Sequence, residues 1–300
     1  MIEKVFGDRA YHAYSVSKIE NYISLTKPRL LASVILSAVL GFVLPMSLSN
    51  TLLQLIYLLF GTALMGGGAN ALNQWMEQVP DSIMYRTKNR ALPTGKLSAN
   101  EALSFGIIIS VLGFIVLLVG LNALTAGLGM LTLLSYILVY TPLKQKTVTN
   151  TWFGGITGAL PPVMGWAQHV DSWTGKSANI CILYFWQLPH FFAIAWMYRD
   201  DYKRGGFKML SHDDQNGRKT AAHMFTNCLM LYAASIAVYL VNQGSLIFLA
   251  GASALGLIFF AVIVLFFKDS TVENARKVFL ASIIYLPLMI GILVLDRFFI

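Results

Sequence analysis

The chain has 300 residues, of which 56% are hydrophobic and only 12% are charged, and its net charge is +8. Soluble domains carry about 25% charged residues, and one soluble core could not bury this much apolar surface, so the composition excludes an ordinary soluble protein. The positive charges lie in short segments between apolar runs, a pattern typical of membrane topology and not of nucleic-acid binding.

The N-terminal segment, residues 1–29, mixes acidic with basic residues, unlike a signal or transit peptide. We expect it to lie in the cytoplasm or on the membrane surface, with an amphipathic helix over residues 11–27. Residues 30–300 are then expected to form a single transmembrane domain. The lack of a leader-like stretch favours a bacterial cytoplasmic (inner) membrane over a mitochondrial inner membrane.

A membrane-spanning helix needs about 20 mostly apolar residues. Nine segments meet this requirement, at roughly 30–48, 52–76, 101–121, 123–141, 151–169, 179–198, 221–242, 245–267 and 276–295. The sequence therefore predicts an all-α, polytopic membrane protein with nine transmembrane helices. The adjacent Pro161 and Pro162 predict a break in the fifth helix, which is tolerated at membrane depth where the backbone lines a cavity.

The distribution of charge predicts an orientation. Of the 22 lysines and arginines, all but Lys176 and Arg297 fall on one side of the nine helices. The positive-inside rule places that side and the N-terminus in the cytoplasm, and the C-terminus outside. Polar residues also gather at this inner end of the helices, which favours a site open to the cytoplasm over a path through the bilayer.

Four polar side chains share one face at the end of the second segment. At 100° per residue, Asn70, Asn73, Glu77 and Asp81 fall within an arc of about 80°. Carboxylates are costly in a membrane unless they are paired or bind a cation, and an all-oxygen set suits Mg²⁺ held partly by phosphates. The alternative is a hydrated helix end, and Pro80 can end the helix and move Asp81 off this face.

Two basic stretches lie on the same side of the membrane as this polar face. The first contains Arg86, Lys88 and Arg90, and the second contains Lys144 and Lys146, which follow the fourth segment. Arginine and lysine are the usual partners of phosphate. A basic loop alone marks topology, but basic residues beside an acidic, amide-rich helix face favour a site for a Mg²⁺–diphosphate complex.

A second pair of carboxylates, Asp200 and Asp201, ends the sixth segment on the same side. Two acidic clusters that face one cavity would hold a Mg²⁺-bridged diphosphate from both sides. The alternative is that both aspartates are hydrated ion-pair partners of Arg199 and Lys203.

His190 lies inside the sixth segment, and intramembrane ionisable residues are functional candidates. Neutral imidazole is a common ligand of haem iron. The alternative is structural, because Pro189 leaves a backbone carbonyl one turn back without its donor, and His190 or Gln187 can bond to that carbonyl.

Three stretches resemble the UbiA-type intramembrane prenyltransferases. They are Asn70–Pro93, which reads NALNQWMEQVPDSIMYRTKNRALP, Tyr140–Trp166 and Trp186–Leu210. Within that family, the RTKNR and WQLPH segments are similar to the branch that acts on haem and not to the branch that acts on quinone precursors. The resemblance covers about residues 20 to 295.

The resemblance implies a bundle of nine helices around a cavity that opens to lipid, with two motifs that bind Mg²⁺ and prenyl diphosphate. The first motif is matched at Asn73, Glu77 and Asp81, with glutamate where the family commonly has aspartate. The second is matched at Asp201, with Asp200 beside it and Gly205 in the place of the usual acidic partner. The basic loop positions of the family are matched at Arg86, Lys88, Arg90, Lys144 and Lys146.

The resemblance also implies a reaction. It is the transfer of a farnesyl group from farnesyl diphosphate to a vinyl group of haem b, with addition of water, to give haem O. Mg²⁺ is the implied cofactor, haem b is a substrate that His190 would orient, and a haem A synthase is the protein partner that the pathway suggests. The residues leave open prenylation of an aromatic quinone precursor of the 4-hydroxybenzoate type, a membrane transporter, and a haem-handling factor without chemistry.

Overall fold

The computed structural model describes residues 18–43, 52–167, 178–241 and 244–296, and these ranges contain helices and no strand. In chain order the helices are α1 (Lys18–Leu25), α2 (Pro28–Val43), α3 (Leu52–Met76), α4 (Gln78–Ile83), α5 (Ala99–Gly120), α6 (Ala123–Lys146), α7 (Asn150–Trp166), α8 (Ala178–Met197), α9 (Arg199–Arg204), α10 (Arg218–Leu240), α11 (Leu246–Lys268) and α12 (Val272–Asp296). The all-α prediction is confirmed for this part of the chain. Residues 1–17, Lys176 and Arg297, on which the predicted orientation partly rests, lie outside the described residues.

The number of membrane spans agrees only partly with the prediction of nine. Each predicted segment overlaps one long helix, but among the described residues only seven helices are long and apolar enough to cross a membrane. The α1–α2 pair, bent by 47°, makes an eighth if it forms one span. The remaining helix, α7, has 17 residues, fewer than the roughly 20 that a full crossing needs.

The long helices pack in two groups. α2, α3, α5, α6 and α7 surround one apolar core, whereas α8, α10, α11 and α12 surround another. The packing of α7 against α8 joins the two groups.

The contact between α2 and α7 is a close approach of two backbones. A Cβ atom on Gly41 would lie 1.8 Å from the carbonyl oxygen of Pro162, and one on Gly165 would lie 1.9 Å from that of Ala38. Small residues at such crossings let membrane helices pack without intervening side chains. α7 runs through Pro161 and Pro162 without interruption, so the predicted break is wrong. The fixed φ of proline suits a helix, and the α2 backbone packs directly against this stretch.

The short α1 is held against the beginning of α5. Ser98 and Glu101 form a capping box there, and Lys18 donates from Nζ to Oε1 of Glu101 at 2.6 Å. The rings of Tyr22 and Phe105 lie 5.0 Å apart. These contacts fix the chain just before the bend between α1 and α2.

We expect Gly41→Ala to destabilise the bundle by about 1–3 kcal/mol, because its methyl group would overlap the α7 backbone. Thermal unfolding of the purified protein in detergent would measure the change. Gly127→Ala in α6 is the matched control, since no atom lies within 4 Å of its Cβ position. That change should be neutral or stabilise the helix by up to about 1 kcal/mol. Equal unfolding temperatures for the two variants would contradict the backbone contact.

Candidate active site

A cavity of about 720 Å³ lies where the ends of α3 and α6, together with α4, meet the bend between α1 and α2. Five bases and two acids line it, which are Lys27, Arg29, Arg86, Arg90, Lys144, Glu77 and Asp81. The other lining residues are Ser24, Pro28, Leu30, Met84, Tyr202 and Phe207. The excess of cations makes the cavity suitable for an anion with several negative charges.

The predicted polar face continues beyond the end of α3, which ends at Met76, before Glu77 and Asp81. Pro80 has no N–H to donate to the carbonyl of Met76, where α3 ends. Backbone bonds from the N–H of Glu77 to Asn73 O (2.9 Å) and from the N–H of Asp81 to Glu77 O (2.8 Å) continue across the interruption. Asp81 therefore stays in the cavity wall with Glu77.

Three of the four polar side chains of this face, Asn73, Glu77 and Asp81, are each paired with a base from outside α3 and α4. The pairs are Lys27 Nζ to Asn73 Oδ1 (2.8 Å), Lys144 Nζ to Glu77 Oε1 (2.9 Å) and Arg90 Nη1 to Asp81 Oδ2 (2.5 Å). The two carboxylates are 4% and 1% exposed, so these partners compensate charges that would otherwise be costly to bury.

The end of α6 presents two of the contacts to this face. It contains a π-helical stretch, Ser135–Tyr140, and such stretches are frequent at functional sites. Thr141 follows it, accepts a hydrogen bond from Asn73 Nδ2 at 3.1 Å and donates to the carbonyl of Tyr136 at 2.9 Å. Lys144 lies over the rings of Tyr140 and Phe207, with Nζ 4.8 and 5.6 Å from their centroids.

Asn70 does not line the cavity, although the sequence placed it on the same face. Its Nδ2 donates to the carbonyl of Thr26 at 2.9 Å, and Gln74 Nε2 donates to the carbonyl of Leu25 at 2.9 Å. These bonds hold the bend between α1 and α2, where Lys27 has a positive φ of 51°. Asn70 thus helps to place Lys27 at the cavity.

Asp201 holds the loop that carries Arg86. Its carboxylate accepts the backbone N–H groups of Tyr85 (2.6 Å) and Arg86 (3.1 Å), and the guanidinium of Arg204 at 2.8 Å. The Arg86 guanidinium, in turn, lies 5.6 Å from the ring centroid of Tyr202. Asp201 is therefore next to the cavity but does not line it.

Three other predicted site residues are not brought to the cavity. Asp200 has a side chain that is 87% exposed and lies 3.8 Å from Arg199, and Lys88 and Lys146 are exposed. Neighbouring residues on a helix point about 100° apart, so Asp200 and Asp201 cannot face the same loop. The prediction that Asp200 faces the cavity beside Asp201 is therefore wrong. The described residues contain no group of three or more His, Cys, Asp or Glu side chains that could hold a metal by themselves.

His190 lies away from the cavity, on the side of α8 that packs against α12. Its Nδ1 is 2.7 Å from Oγ of Ser282. Gln187 donates to the carbonyls of Leu183 and Gly155, each at 3.1 Å. Neither side chain therefore bonds to the carbonyl that Pro189 leaves without a donor, which was the structural alternative.

Sequence analysis missed two residues that contact Asn73 of the polar face. Lys27 counted only as a charge that marks topology, and Thr141 was not singled out. A signal for Lys27 is present, because a residue before proline is disfavoured in a helix and a lysine at such a break, at the start of an apolar run, can turn inward. Thr141 gives no comparable signal.

We expect Asp201→Ala to loosen the loop after α4, because two backbone N–H groups would lose their acceptor. Trypsin should then cleave faster at Arg86 and Lys88, as followed by mass spectrometry of the fragments. Asp200→Ala is the matched control, since that carboxylate is exposed, and its cleavage rate should equal that of the unmodified protein. Equal cleavage of both variants would show that Asp201 does not hold the loop.

Comparisons with known proteins identify the family and the fold. Residues 34–284 match the model of the UbiA prenyltransferase family. A protoheme IX farnesyltransferase of Solibacter usitatus is 41% identical over 93% of this chain and 99% of that protein. A digeranylgeranylglyceryl phosphate synthase structure gives a TM-score of 0.76 at 17% identity, covering 93% of this chain and 98% of the other. A UbiA homolog from Archaeoglobus fulgidus, bound to GPP and Mg²⁺, gives 0.68 at 14% identity, covering 91% and 99%. The chain belongs to the UbiA prenyltransferase family.

Proposed function

We propose that this protein transfers a farnesyl group from farnesyl diphosphate to a vinyl group of protohaem IX (haem b), with addition of water, to give haem O. The observation that carries the diphosphate chemistry is the cavity in which Glu77 and Asp81 face a ring of bases. The acceptor follows from the name of the S. usitatus relative, to which this chain is similar over nearly its whole length.

The carboxylates of the cavity fit Mg²⁺. Glu77 and Asp81 line it, and both are hard oxygen ligands on one face of the α3–α4 region. Asn73, one turn before Glu77, is buried behind the cavity wall, and its amide oxygen could join them only if it released Lys27. Mg²⁺ is usually held by one or two carboxylates together with substrate phosphates, and not by a cage made only of protein. Two carboxylates in one cavity, together with the phosphates of the substrate, are therefore enough to hold Mg²⁺. When bound, Mg²⁺ supplies charge stabilisation of the phosphate oxygens.

The bases of the cavity bind the diphosphate and stabilise it as it leaves. Lys27, Arg86, Arg90 and Lys144 place positive charge where the allylic C–O bond of farnesyl diphosphate breaks. Fixed charges of this kind act without reorganisation and often supply the largest part of catalysis. Lys27, Lys144 and Arg90 each contact an oxygen of the polar face, so that face positions them before substrate arrives.

The bond changes of the reaction balance without a redox partner. The vinyl carbon of haem b attacks the farnesyl carbon as diphosphate leaves, and the positive charge passes to the other vinyl carbon. Water adds there and releases a proton, which gives a hydroxyethylfarnesyl group. Apolar lining residues such as Leu30, Met84 and Phe207 keep water from the first carbocation until the carbon–carbon bond has formed.

The proposed roles of the remaining residues follow from their positions. Asp201 acts through the loop that carries Arg86, since its carboxylate accepts the backbone N–H groups of Tyr85 and Arg86. His190 orients haem as a ligand of its iron. The charge distribution supports an orientation with the N-terminus on the cytoplasmic side of the membrane, and the reaction product suits a haem A synthase as the next enzyme.

A direct assay tests the reaction. Purified protein incubated with haem b, farnesyl diphosphate and Mg²⁺ should yield a haem whose mass has increased by one farnesyl group and one hydroxyl group. Chelation of Mg²⁺ should abolish that product. Unmodified haem, with 4-hydroxybenzoate prenylated in a parallel incubation, would reject haem as the acceptor while leaving the diphosphate chemistry in place.

Asp81→Asn should lower turnover by about 10²–10³-fold, because the cavity would lose one of its two carboxylates. The Mg²⁺ concentration that gives half-maximal activity should rise in parallel, and a Mg²⁺ titration of the initial rate would measure both. Asp200→Asn is the control and should keep full activity. A fully active Asp81→Asn protein would exclude Asp81 from metal binding.

A further inference from the structure

The contact between α8 and α12 contains a histidine that the cavity chemistry does not use. The ring of His190 stacks on Trp186, with centroids 5.8 Å apart and planes 25° apart, and on Phe279, at 4.9 Å and 28°. Phe191 approaches the same ring at an angle of 60°. Aromatic residues thus fix the plane of the imidazole.

Ser282 of α12 forms the hydrogen bonds that connect this helix to Trp186 and His190 of α8. Its hydroxyl donates to the carbonyl of Phe279 at 2.6 Å and lies 2.7 Å from Nδ1 of His190. Its own carbonyl accepts the indole N–H of Trp186 at 2.8 Å. Ser282 is fully buried, so water does not compete for these bonds.

The two contacts of the hydroxyl determine which imidazole nitrogen carries the proton. A serine hydroxyl has one proton to donate. If that proton pointed to His190, the oxygens of Ser282 and Phe279 would lie 2.6 Å apart with no proton between them, which is repulsive. The hydroxyl proton of Ser282 therefore points to the carbonyl oxygen of Phe279. Nδ1 of His190 must then carry a proton and donate it to Oγ of Ser282. A neutral imidazole carries one N–H, so Nε2 carries a lone pair.

That lone pair has no hydrogen-bond partner among the described residues, where the imidazole bonds only through Nδ1. The His190 side chain is half-buried and not sealed inside the bundle. His190 thus carries an unprotonated nitrogen on a ring whose orientation the neighbouring aromatic residues fix.

We propose that Ser282 is a positioning residue that holds His190 in the Nδ1-protonated tautomer, so that Nε2 coordinates the iron of the haem substrate. The inference rests on the proposed function and deepens it by naming the atom that binds haem and the residue that prepares it. Histidines that bind metals almost always donate their other N–H to a fixed acceptor, which sets the tautomer and raises the basicity of the ligand. Ser282 supplies that acceptor here.

Haem titrations of the purified protein test this role. Haem b affinity would be measured by absorbance, and the iron–histidine stretching band of the ferrous complex by resonance Raman spectroscopy. Ser282→Ala should weaken haem affinity by about 10- to 100-fold, the usual cost of losing such a partner, and should shift the band. Ser282→Thr keeps the hydroxyl and should restore both. His190→Ala should abolish the band.

Ser110→Ala is the matched control. Ser110 is buried and donates to a carbonyl of its own helix at 2.6 Å, as Ser282 does, but lies on α5, so haem binding should be unchanged. Ser282→Cys is a second variant that keeps the volume of the side chain but accepts hydrogen bonds weakly. Its haem affinity should lie between those of Ser282→Ala and the unmodified protein. It tests the same role if Ser282→Ala does not fold.

The outcomes separate this inference from the proposed reaction. Failure of the unmodified protein to make haem O, together with failure to bind haem, would overturn both. If haem O is made but His190→Ala keeps the band, His190 is not the ligand and the inference is overturned while the reaction stands. If His190→Ala loses the band but Ser282→Ala and Ser282→Cys bind haem like the unmodified protein, the role of Ser282 is overturned.

Discussion

The burial of Glu77 and Asp81 at the end of membrane helices is the constraint on which the rest of the site depends. Two carboxylates in such a place require cations nearby, and here Lys144 and Arg90 supply them from separate parts of the chain. The same bases are the groups that a diphosphate needs. The bases that compensate the two buried carboxylates are therefore also the bases that we propose to bind the diphosphate.

The fold brings these charges together through side chains that hold the segments on which they lie. The bonds from Asn70 and Gln74 hold the bend that places Lys27. Asp201 does the same for the loop that carries Arg86. The hydrogen bonds of these three side chains, which do not line the cavity, thus position bases that do.

In the proposed reaction, the two chemical tasks fall to different groups of helices. Most of the charged cavity is built on the first group, whereas His190 and Ser282 lie within the second, where α8 packs against α12. A prenyl diphosphate and a haem have opposite requirements, one for cations in a polar cavity and the other for a neutral imidazole among aromatic rings. Distinct surroundings allow one bundle to meet both.

The sequence by itself determined the features that depend on neighbours along a helix. The apolar segments located the helices, and the 100° rotation per residue placed Glu77 and Asp81 on one face. It misjudged the direction of the Asp200 side chain and the effect of the double proline in α7. It could not supply the partners of the site, because the residues involved are far apart in the chain: Lys27 and Asn73 by 46 positions, His190 and Ser282 by 92, and Asp201 and Tyr85 by 116. Only the packing of one helix on another decides such pairs, since helical periodicity relates residues three or four positions apart.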